Sequence, residues 1–295
     1  MIDLHIHTTY SDGTDSVEEL LKKAEDKQLE VISITDHDEV GSYFELEKDK
    51  KLRNLYSGKI IIGAELKTVW NRVPIEILAY GIDYKKLRIH KINMKELQKE
   101  VLEKLKKVAR DLGLIYDERN VYIDENDPTK RFGSFTIGTE LLKHKENFKK
   151  IKEIGEFVPT SFYRVHQSNK NSPFYVDETY ASIDIDETIS RIHEAGGLAF
   201  LAHGYIYPFD DKDKTIEEIL STTNIDGMEC VYTEFSEEER KKAMRFCKKY
   251  NKFMSGGSDY HAKNKPDINL GTGRNNNMKI EKSLIEPWIN KVRDI

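Results

Sequence analysis

The sequence of residues 3–14 is DLHIHTTYSDGT, which places His5 and His7 at the end of an apolar run, residues 2–6, predicted to form a β-strand. Residues i and i+2 of a strand point to the same face, so the two imidazoles project together. Asp12 follows after a short polar turn. Two imidazoles with a nearby carboxylate suit a metal ion. An H-x-H pair alone is weak evidence, so the prediction depends on the rest of the chain.

Further histidines and acids stand where other strand-like runs end. They are His37 after VISIT (31–35), Glu65 near the end of KIIIGAEL (59–66), His203 at the end of LAFLAH (198–203), and Asp259 and His261 in GGSDYH. In a (β/α) barrel the carboxyl ends of the strands gather around one mouth, so we expect these side chains to converge. Imidazole and carboxylate ligands suit Zn, Mn or Fe.

Amphipathic stretches alternate with these strands. In DSVEELLKKAEDK, Ser16 and Glu19 form the S-x-x-E pattern of a capping box at the start of a predicted helix. Two glycines end a second predicted helix in ETISRIHEAGG, before the strand LAFLAH. PIEILAYGI (74–82) and IDGMECVY (225–232) add two more strands. This βα alternation predicts an α/β fold with a parallel sheet or a (β/α) barrel.

Residues 83–181 break the alternation, because this segment is mostly helical in pattern and highly charged. KINMKELQKEVLEKLKKVARDLG is the clearest example. We interpret the segment as a helical insertion domain, so that residues 1–82 and 182–295 form one α/β domain. The charge runs in the insertion are expected to be solvated helix faces.

Composition sets limits on location and partners. Hydrophobic residues make up 38% of the chain, charged residues 34%, and the net charge is −5, which gives no global case for binding nucleic acid or membranes. We expect a cytoplasmic protein, because no signal sequence and no apolar run near 18 residues is present. Cys230 and Cys247 are expected to be reduced thiols. No feature indicates a protein partner.

DLHIHTTYSDGT, ITDHDEVGS, IIGAEL, LAH and GGSDYHA resemble, in the same order, the motifs of the PHP (polymerase and histidinol phosphatase) superfamily. The chain is similar to its stand-alone metal-dependent phosphoesterases, including those that cut nucleotide monophosphates and short RNA. The resemblance implies a distorted (β/α)7 barrel of PHP type. It also implies two to three divalent ions, of Mn, Zn or Fe.

The resemblance further implies three ion positions. One is held by His5, His7, Glu65 and Asp259; a second shares Glu65 and takes His203; a third takes Asp12, His37 and His261. Relatives complete the second position with a histidine where this chain has Glu76. We expect Glu76 to ligate as a harder, anionic donor, because an idle charge among apolar neighbours is costly. The alternative is a carboxylate that faces solvent.

The expected charge of the site restricts its substrate. Asp12, Glu65, Glu76 and Asp259 carry −4 formally and three divalent ions would carry +6, which leaves about +2. Such a site favours a phosphate ester, hydrolysed by a metal-bridged hydroxide. The resemblance implies that the ester is of a nucleotide or a short RNA or DNA. Glu65, His203 and Asp259 are the expected catalytic residues. A histidinol-phosphate phosphatase and a catalytically silent PHP scaffold are the alternatives.

Three cations are candidates for binding the substrate phosphate. Lys67 follows Glu65 by two residues, where many relatives have serine; Arg131 lies in the insertion and Arg274 in a Gly-rich stretch after the last motif. An arginine can hold a phosphate through two hydrogen bonds. The alternative for each is a side chain that only extends into solvent.

Overall fold

The computed structural model describes residues 1–127, 129–155, 157–159 and 162–295. The chain folds into two units. The first combines Met1–His90 with Ile183–Ile295, and the second is Lys91–Ser182. All of the predicted motif residues belong to the first unit.

A seven-stranded sheet organises the first unit, with its strands in sequence order. The strands are β1 (Ile2–Ile6), β2 (Val31–Ile34), β3 (Lys59–Trp70), β4 (Val73–Tyr80), β5 (Leu198–Leu201), β6 (Gly227–Tyr232) and β7 (Phe253–Gly257). The sheet curls until its ends approach: the N–H of Asp259, just after β7, donates to the carbonyl of His5 (2.9 Å), and the N–H of His7 donates to the carbonyl of Tyr260 (2.9 Å). The expected distorted seven-stranded barrel is confirmed.

The distortion is concentrated in β4. This strand runs antiparallel to both β3 and β5, whereas the other pairs are parallel. The βα alternation predicted a parallel arrangement, but only a two-residue connection separates β3 from β4, and a parallel pair requires a long crossover. The two strands therefore form a hairpin.

Helices cover the outside of this sheet. They are α1 (Val17–Asp26), α2 (Gly41–Lys48), α3 (Lys50–Arg53), α7 (Ile185–Glu194), α8 (Lys212–Thr222) and α9 (Glu237–Lys249). The last helix, α10 (Lys282–Ile289), packs against the opposite face, where Trp288 lies among Tyr80 and Phe200. The capping box at α1 is confirmed, because Ser16 accepts from the N–H of Glu19 and Glu19 accepts from the N–H of Ser16. The apolar face of α1, including Leu20 and Leu21, is buried in the main core, as its helical spacing requires.

The second unit is mostly helical and has a core of its own. Its helices are α4 (Met94–Asp111), α5 (Gly133–Leu141) and α6 (Phe148–Ile154). Buried leucines of α4 pack with Ile137 and Leu141 of α5 and with Phe162 and Phe174. Gly133 starts α5 against α4, where a Cβ atom would lie 3.2 Å from the backbone of Leu102.

No helix of the described ranges combines the length and apolar character that a membrane span needs. The thiols of Cys230 and Cys247 are free and buried, with their sulfur atoms 3.5 Å apart. A short antiparallel pair, β8 (Ile268–Asn269) and β9 (Gly273–Arg274), follows β7.

Asp3 joins the first strand to the segment after the last one. Its buried carboxylate accepts hydrogen bonds from the N–H (2.9 Å) and hydroxyl (2.6 Å) of Ser258 and from the N–H of Gly271 (2.7 Å). Burial raises the pKa of Asp3, although these hydrogen bonds oppose the shift. The contacts hold the closing edge of the sheet beside His5.

We expect Asp3→Ala to lower the free energy of unfolding by about 3 kcal/mol, because it leaves buried donors without an acceptor. Urea unfolding followed by circular dichroism measures the change. The control is Asp26→Ala at the exposed end of α1. An equal stability of the two variants would contradict this role for Asp3.

Candidate metal centre

Nine predicted side chains meet at one rim of the sheet. Five follow the carboxyl ends of strands: His7 after β1, His37 after β2, His203 after β5, and Asp259 and His261 after β7. The other four are His5 in β1, Asp12 in the next loop, Glu65 in β3 and Glu76 in β4. The convergence expected of a (β/α) barrel is therefore present.

Glu65 occupies the middle of this cluster and is fully buried. Its Oε2 lies 3.1 Å from His5 Nε2, 3.3 Å from His7 Nε2 and 3.1 Å from His37 Nδ1. Its Oε1 lies 2.9 Å from His203 Nε2. One carboxylate thus contacts four imidazoles.

The sequence placed Glu65 near the end of its strand, and this position was wrong. β3 continues to Trp70, so Glu65 lies in its interior. The error arises because residues beyond Glu65 pair with β4 in the hairpin instead of forming a loop. Glu65 nevertheless lies level with the rim, because its backbone forms an isolated parallel bridge with His37, just after the end of β2.

Asp12 forms the more exposed edge of the cluster. Its Oδ1 lies 3.0 Å from His261 Nε2, 3.7 Å from His7 Nδ1 and 3.8 Å from His37 Nε2. The rings of His7 and His261 stack with centroids 4.1 Å apart. More than half of the Asp12 side chain is exposed, so this edge is open to solvent.

Glu76 reaches the cluster from the antiparallel strand. Its Oε1 lies 3.3 Å from His37 Nδ1 and its Oε2 lies 3.5 Å from His203 Nε2. The carboxylate faces the imidazoles, with 21% of the side chain exposed. Because β4 runs antiparallel, the start of β4 lies at the same rim as the ends of the parallel strands. The reversal therefore brings Glu76 into the cluster.

Burial and neighbouring charges shift the pKa values of the cluster residues in both directions. Burial by itself would lower the pKa of His7, but the neighbouring carboxylates of Asp259 and Glu65, each 3.3 Å from its Nε2, raise that pKa to about 9. Burial would likewise raise the pKa of Glu65, but the surrounding imidazoles hold it well below its usual range. Burial and the charge of Glu65 raise the pKa of Glu76 to about 7. The carboxylates of Glu65 and Asp259, whose pKa values are both lowered, therefore keep negative charge among the imidazoles, which favours cations.

The unpaired donors and acceptors in the cluster fit metal ions. Within the described part of the chain, five buried cluster atoms have no hydrogen-bond partner: His5 Nε2, His7 Nε2, His37 Nδ1, His203 Nδ1 and Glu65 Oε2. Buried polar atoms are rarely left unsatisfied, and four of these five face one another. Imidazole nitrogens and carboxylate oxygens are the donors that Zn, Mn and Fe accept.

Ligand atoms lie close enough to hold a metal ion in three groups of residues. The groups are His7, Asp12, His37 and His261; His5, His7 and Glu65; and His37, Glu65 and Glu76. They overlap with the three positions expected from the sequence, but Glu76 shares a group with His37. Which residues bind each ion stays a prediction.

Several residues that support the cluster were missed or left open by the sequence analysis. Asp36 accepts hydrogen bonds from Thr8 and from Ser11, whose hydroxyl lies 3.4 Å from His7 Nδ1. Asp36 therefore acts on the His7 loop and not on the neighbouring His37. Asp38, the other flanking acid, accepts from the N–H of Lys67 (3.0 Å).

Hydrogen bonds to one carboxylate oxygen, Oδ2, orient the Asp259 side chain. Its Oδ2 accepts from the hydroxyl of Tyr232 (2.8 Å) and from Lys265 Nζ (2.5 Å), whereas its Oδ1 lies 3.3 Å from His7 Nε2. The hydrogen bonds thus leave Oδ1 directed at the imidazoles. Lys265 follows the last motif, and no motif signalled it.

A bulge in β6 directs two of its residues at the cluster. Glu229 pairs with Ser255 and Val231 with Gly256, so β6 has one extra residue between them. Residues three apart in a regular strand face opposite sides, but the bulge lets both Glu229 and Tyr232 reach the cluster. Glu229 contacts His5 Nδ1 at 3.1 Å. A charged residue inside the apolar run GMECVY was the sequence signal for it.

The three predicted phosphate-binding cations have different surroundings. Lys67 pairs with Glu76 in the β3–β4 register, its side chain is exposed, and its charge opposes the rise in the pKa of Glu76. Arg274 donates to Asp267 (2.6 Å) and Glu234 (3.3 Å), so two acids already hold it. Arg131 is an exposed residue of the second unit. Of these three cations, Lys67 is the one that lies beside the cluster. A role in phosphate binding stays a prediction for all three.

The family model of the PHP domain matches residues 3–154, just over half of this chain. The chain belongs to the PHP domain family. The superfamily expected from the motifs is therefore confirmed.

Characterised proteins extend the likeness of this PHP protein over most of the chain. A 5'-3' exoribonuclease of Haemophilus influenzae is 27% identical over 263 residues, covering 88% of this chain and 89% of that protein. A 3',5'-nucleoside bisphosphate phosphatase of Chromobacterium violaceum is 24% identical over 270 residues, covering 88% of this chain and 87% of that protein. The crystal structure of a proposed metal-dependent phosphoesterase from Bifidobacterium adolescentis superposes with a TM-score of 0.63 at 19% identity, covering 100% of this chain and 97% of that one. The two proteins therefore share the fold.

We expect Mn²⁺ to stabilise the metal-free protein against heat, by about 2.7 kcal/mol at a hundred times its dissociation constant. The His7 pKa of about 9 means that a proton must leave when an ion binds through this ring. Affinity should therefore weaken about tenfold per pH unit below that pKa for each such proton. Thermal melts and calorimetric titrations between pH 6 and pH 9 measure both effects; pH-independent affinity would contradict the prediction.

Proposed function

We propose that this PHP protein is a metal-dependent hydrolase of phosphate esters of nucleotides or short oligonucleotides, using a metal-activated water. The reaction class, hydrolysis of a phosphoester bond, is that of the named relatives. The observation that carries the proposal is the meeting of five imidazoles and four carboxylates at one rim, with buried ligand atoms that lack partners.

The residues of the cluster divide into holding and orienting roles. His5, His7, Asp12, His37, Glu65, Glu76, His203, Asp259 and His261 would hold two to three divalent ions. When bound, such ions lower the pKa of water and neutralise the charge on a phosphate. Glu65, fully buried, would contribute its carboxylate to these ions, while Asp259 would present Oδ1 and keep Oδ2 on Tyr232 and Lys265.

The open edge of the cluster suits an anionic substrate. Asp12 is more than half exposed there, and His37 and Glu76 are each 21% exposed, so a phosphate can approach from this side. Lys67 is exposed beside Glu76 and carries the positive charge that a phosphate needs. We assign Lys67 to phosphate binding; Arg131 and Arg274 are weaker candidates.

The substrate class rests on the relatives. The Haemophilus protein is an exoribonuclease and the Chromobacterium protein removes phosphate from a nucleoside bisphosphate. Both substrates contain phosphate esters of nucleosides. A phosphate-release screen of the Mn²⁺-loaded protein should therefore give turnover on 3',5'-bisphosphorylated adenosine or 5'-phosphorylated short RNA. Preferred cleavage of histidinol phosphate would contradict the substrate class, and full metal content without turnover would favour a silent scaffold.

We expect Asp259→Ala to lower kcat at least about 100-fold, because an anionic ligand is lost from the centre. Its circular dichroism spectrum should match that of the wild type. Asp26→Ala, which removes an exposed acid at the end of α1, is the control and should keep the wild-type rate. Full turnover in Asp259→Ala would contradict the role of Asp259 as a metal ligand.

We expect Glu76→Gln to weaken binding of one ion about 10- to 100-fold, because a neutral amide replaces an anionic oxygen beside His37 and His203. Glu76→His restores a strong donor and should shift metal preference from Mn²⁺ toward Zn²⁺. Elemental analysis after dialysis against each metal gives the stoichiometry. Identical metal content in all three proteins would show that Glu76 takes no part.

A further inference from the structure

Glu229 is a buried acid outside the predicted ligand set. It lies in β6, between β5 and β7, and none of its surface is exposed. Its Oε1 lies 3.1 Å from His5 Nδ1, and its Oε2 accepts from the N–H of His203 (2.9 Å). One carboxylate therefore contacts two residues of the candidate metal centre that come from two other strands.

The chemistry of each contact restricts the partner. A carboxylate only accepts hydrogen bonds, so the His5 ring must carry a proton on Nδ1 to pair with Glu229. When neutral, that ring then keeps its lone pair on Nε2, which lies 3.1 Å from Glu65 Oε2 and has no hydrogen-bond partner. The proton on Nδ1 thus decides which nitrogen of His5 is free to bind a cation.

The second contact acts on strained backbone. His203 has a positive φ of 25°, which is unfavourable for a residue with a side chain. Its N–H is satisfied by Glu229, and its Nε2 lies 2.9 Å from Glu65 Oε1. The hydrogen bond to Glu229 therefore helps to hold the conformation that directs this imidazole at Glu65.

We propose that Glu229 is a positioning residue that fixes His5 in its Nδ1–H form and holds the backbone of His203, and so prepares both imidazoles for metal binding. The inference rests on the proposed metal centre and adds a residue that no motif contains. Carboxylates that accept from metal-binding histidines commonly set the ring tautomer in this way.

Glu229→Gln tests the idea with little change in shape. The backbone N–H of His203 can only donate, so the glutamine oxygen must face it, and the amide NH2 then faces His5 Nδ1. Two donors would meet there unless the His5 proton moves to Nε2. Either result weakens metal binding through Nε2. The matched control is Glu140→Gln, a buried acid of the second unit that accepts from Asp117 N–H and Asn120.

The measurements are Zn²⁺ titrations by calorimetry and ¹⁵N spectra of the Zn²⁺-loaded proteins, with His5 signals assigned by their loss in His5→Asn. We expect Glu229→Gln to bind one ion about 10- to 100-fold more weakly, while Glu140→Gln matches the wild type. The wild-type His5 ring should show a protonated Nδ1 and a metal-bound Nε2. In Glu229→Gln the protonated Nδ1 signal should be lost or strongly shifted.

Glu229→Asp provides a second test and covers the case in which Glu229→Gln does not fold. Aspartate keeps the charge but is one methylene shorter, so it cannot reach both histidines; we expect weaker binding of one ion. Wild-type affinity in Glu229→Asp, or unchanged affinity and spectra in a folded Glu229→Gln, overturns the proposal. Failure of the wild type to bind Zn²⁺ would instead reject the metal centre itself.

Discussion

The burial of the Glu65 carboxylate among four imidazoles is the interaction on which the candidate site depends. An isolated carboxylate in a protein interior is very costly, so it requires charge compensation. The imidazoles provide this compensation, and their contacts of 2.9–3.3 Å bring together four loops and strands that are distant in sequence. Because Glu65 Oε2 and the three imidazole nitrogens around it lack hydrogen-bond partners, the arrangement is suited to cations that would replace the protons held there.

The barrel is distorted in a way that serves this cluster. A regular parallel barrel would place the carboxyl end of every strand at the rim, and Glu76, early in its strand, would lie at the opposite end. The β3–β4 hairpin reverses β4 and brings Glu76 to within 3.5 Å of both His37 and His203. The bulge in β6 has a similar effect, because it directs both Glu229 and Tyr232 toward the rim.

Support for the cluster is distributed around the rim. Asp36 fixes the loop that carries His7, Tyr232 and Lys265 orient Asp259, and Asp3 closes the sheet beside His5. Asp3, Asp36 and Tyr232 are buried, and each is hydrogen-bonded to its own neighbours at the rim. Such a network is favourable only when its members are satisfied together, which makes the geometry of the rim well defined.

The sequence by itself determined the fold class, the family and the set of side chains at the rim. These follow from local patterns: strand-like runs, capping residues, and polar residues where the runs end. Tertiary structure alone decided the interior position of Glu65, the reversal of β4, and the contacts of Glu229 and Lys265. Strand direction and bulges depend on pairing between distant segments, and hydrogen bonds such as that from Lys265 to Asp259 depend on loop geometry. Local sequence patterns do not predict strand direction, bulges or these hydrogen bonds, because all of them depend on contacts that form when the sheet closes.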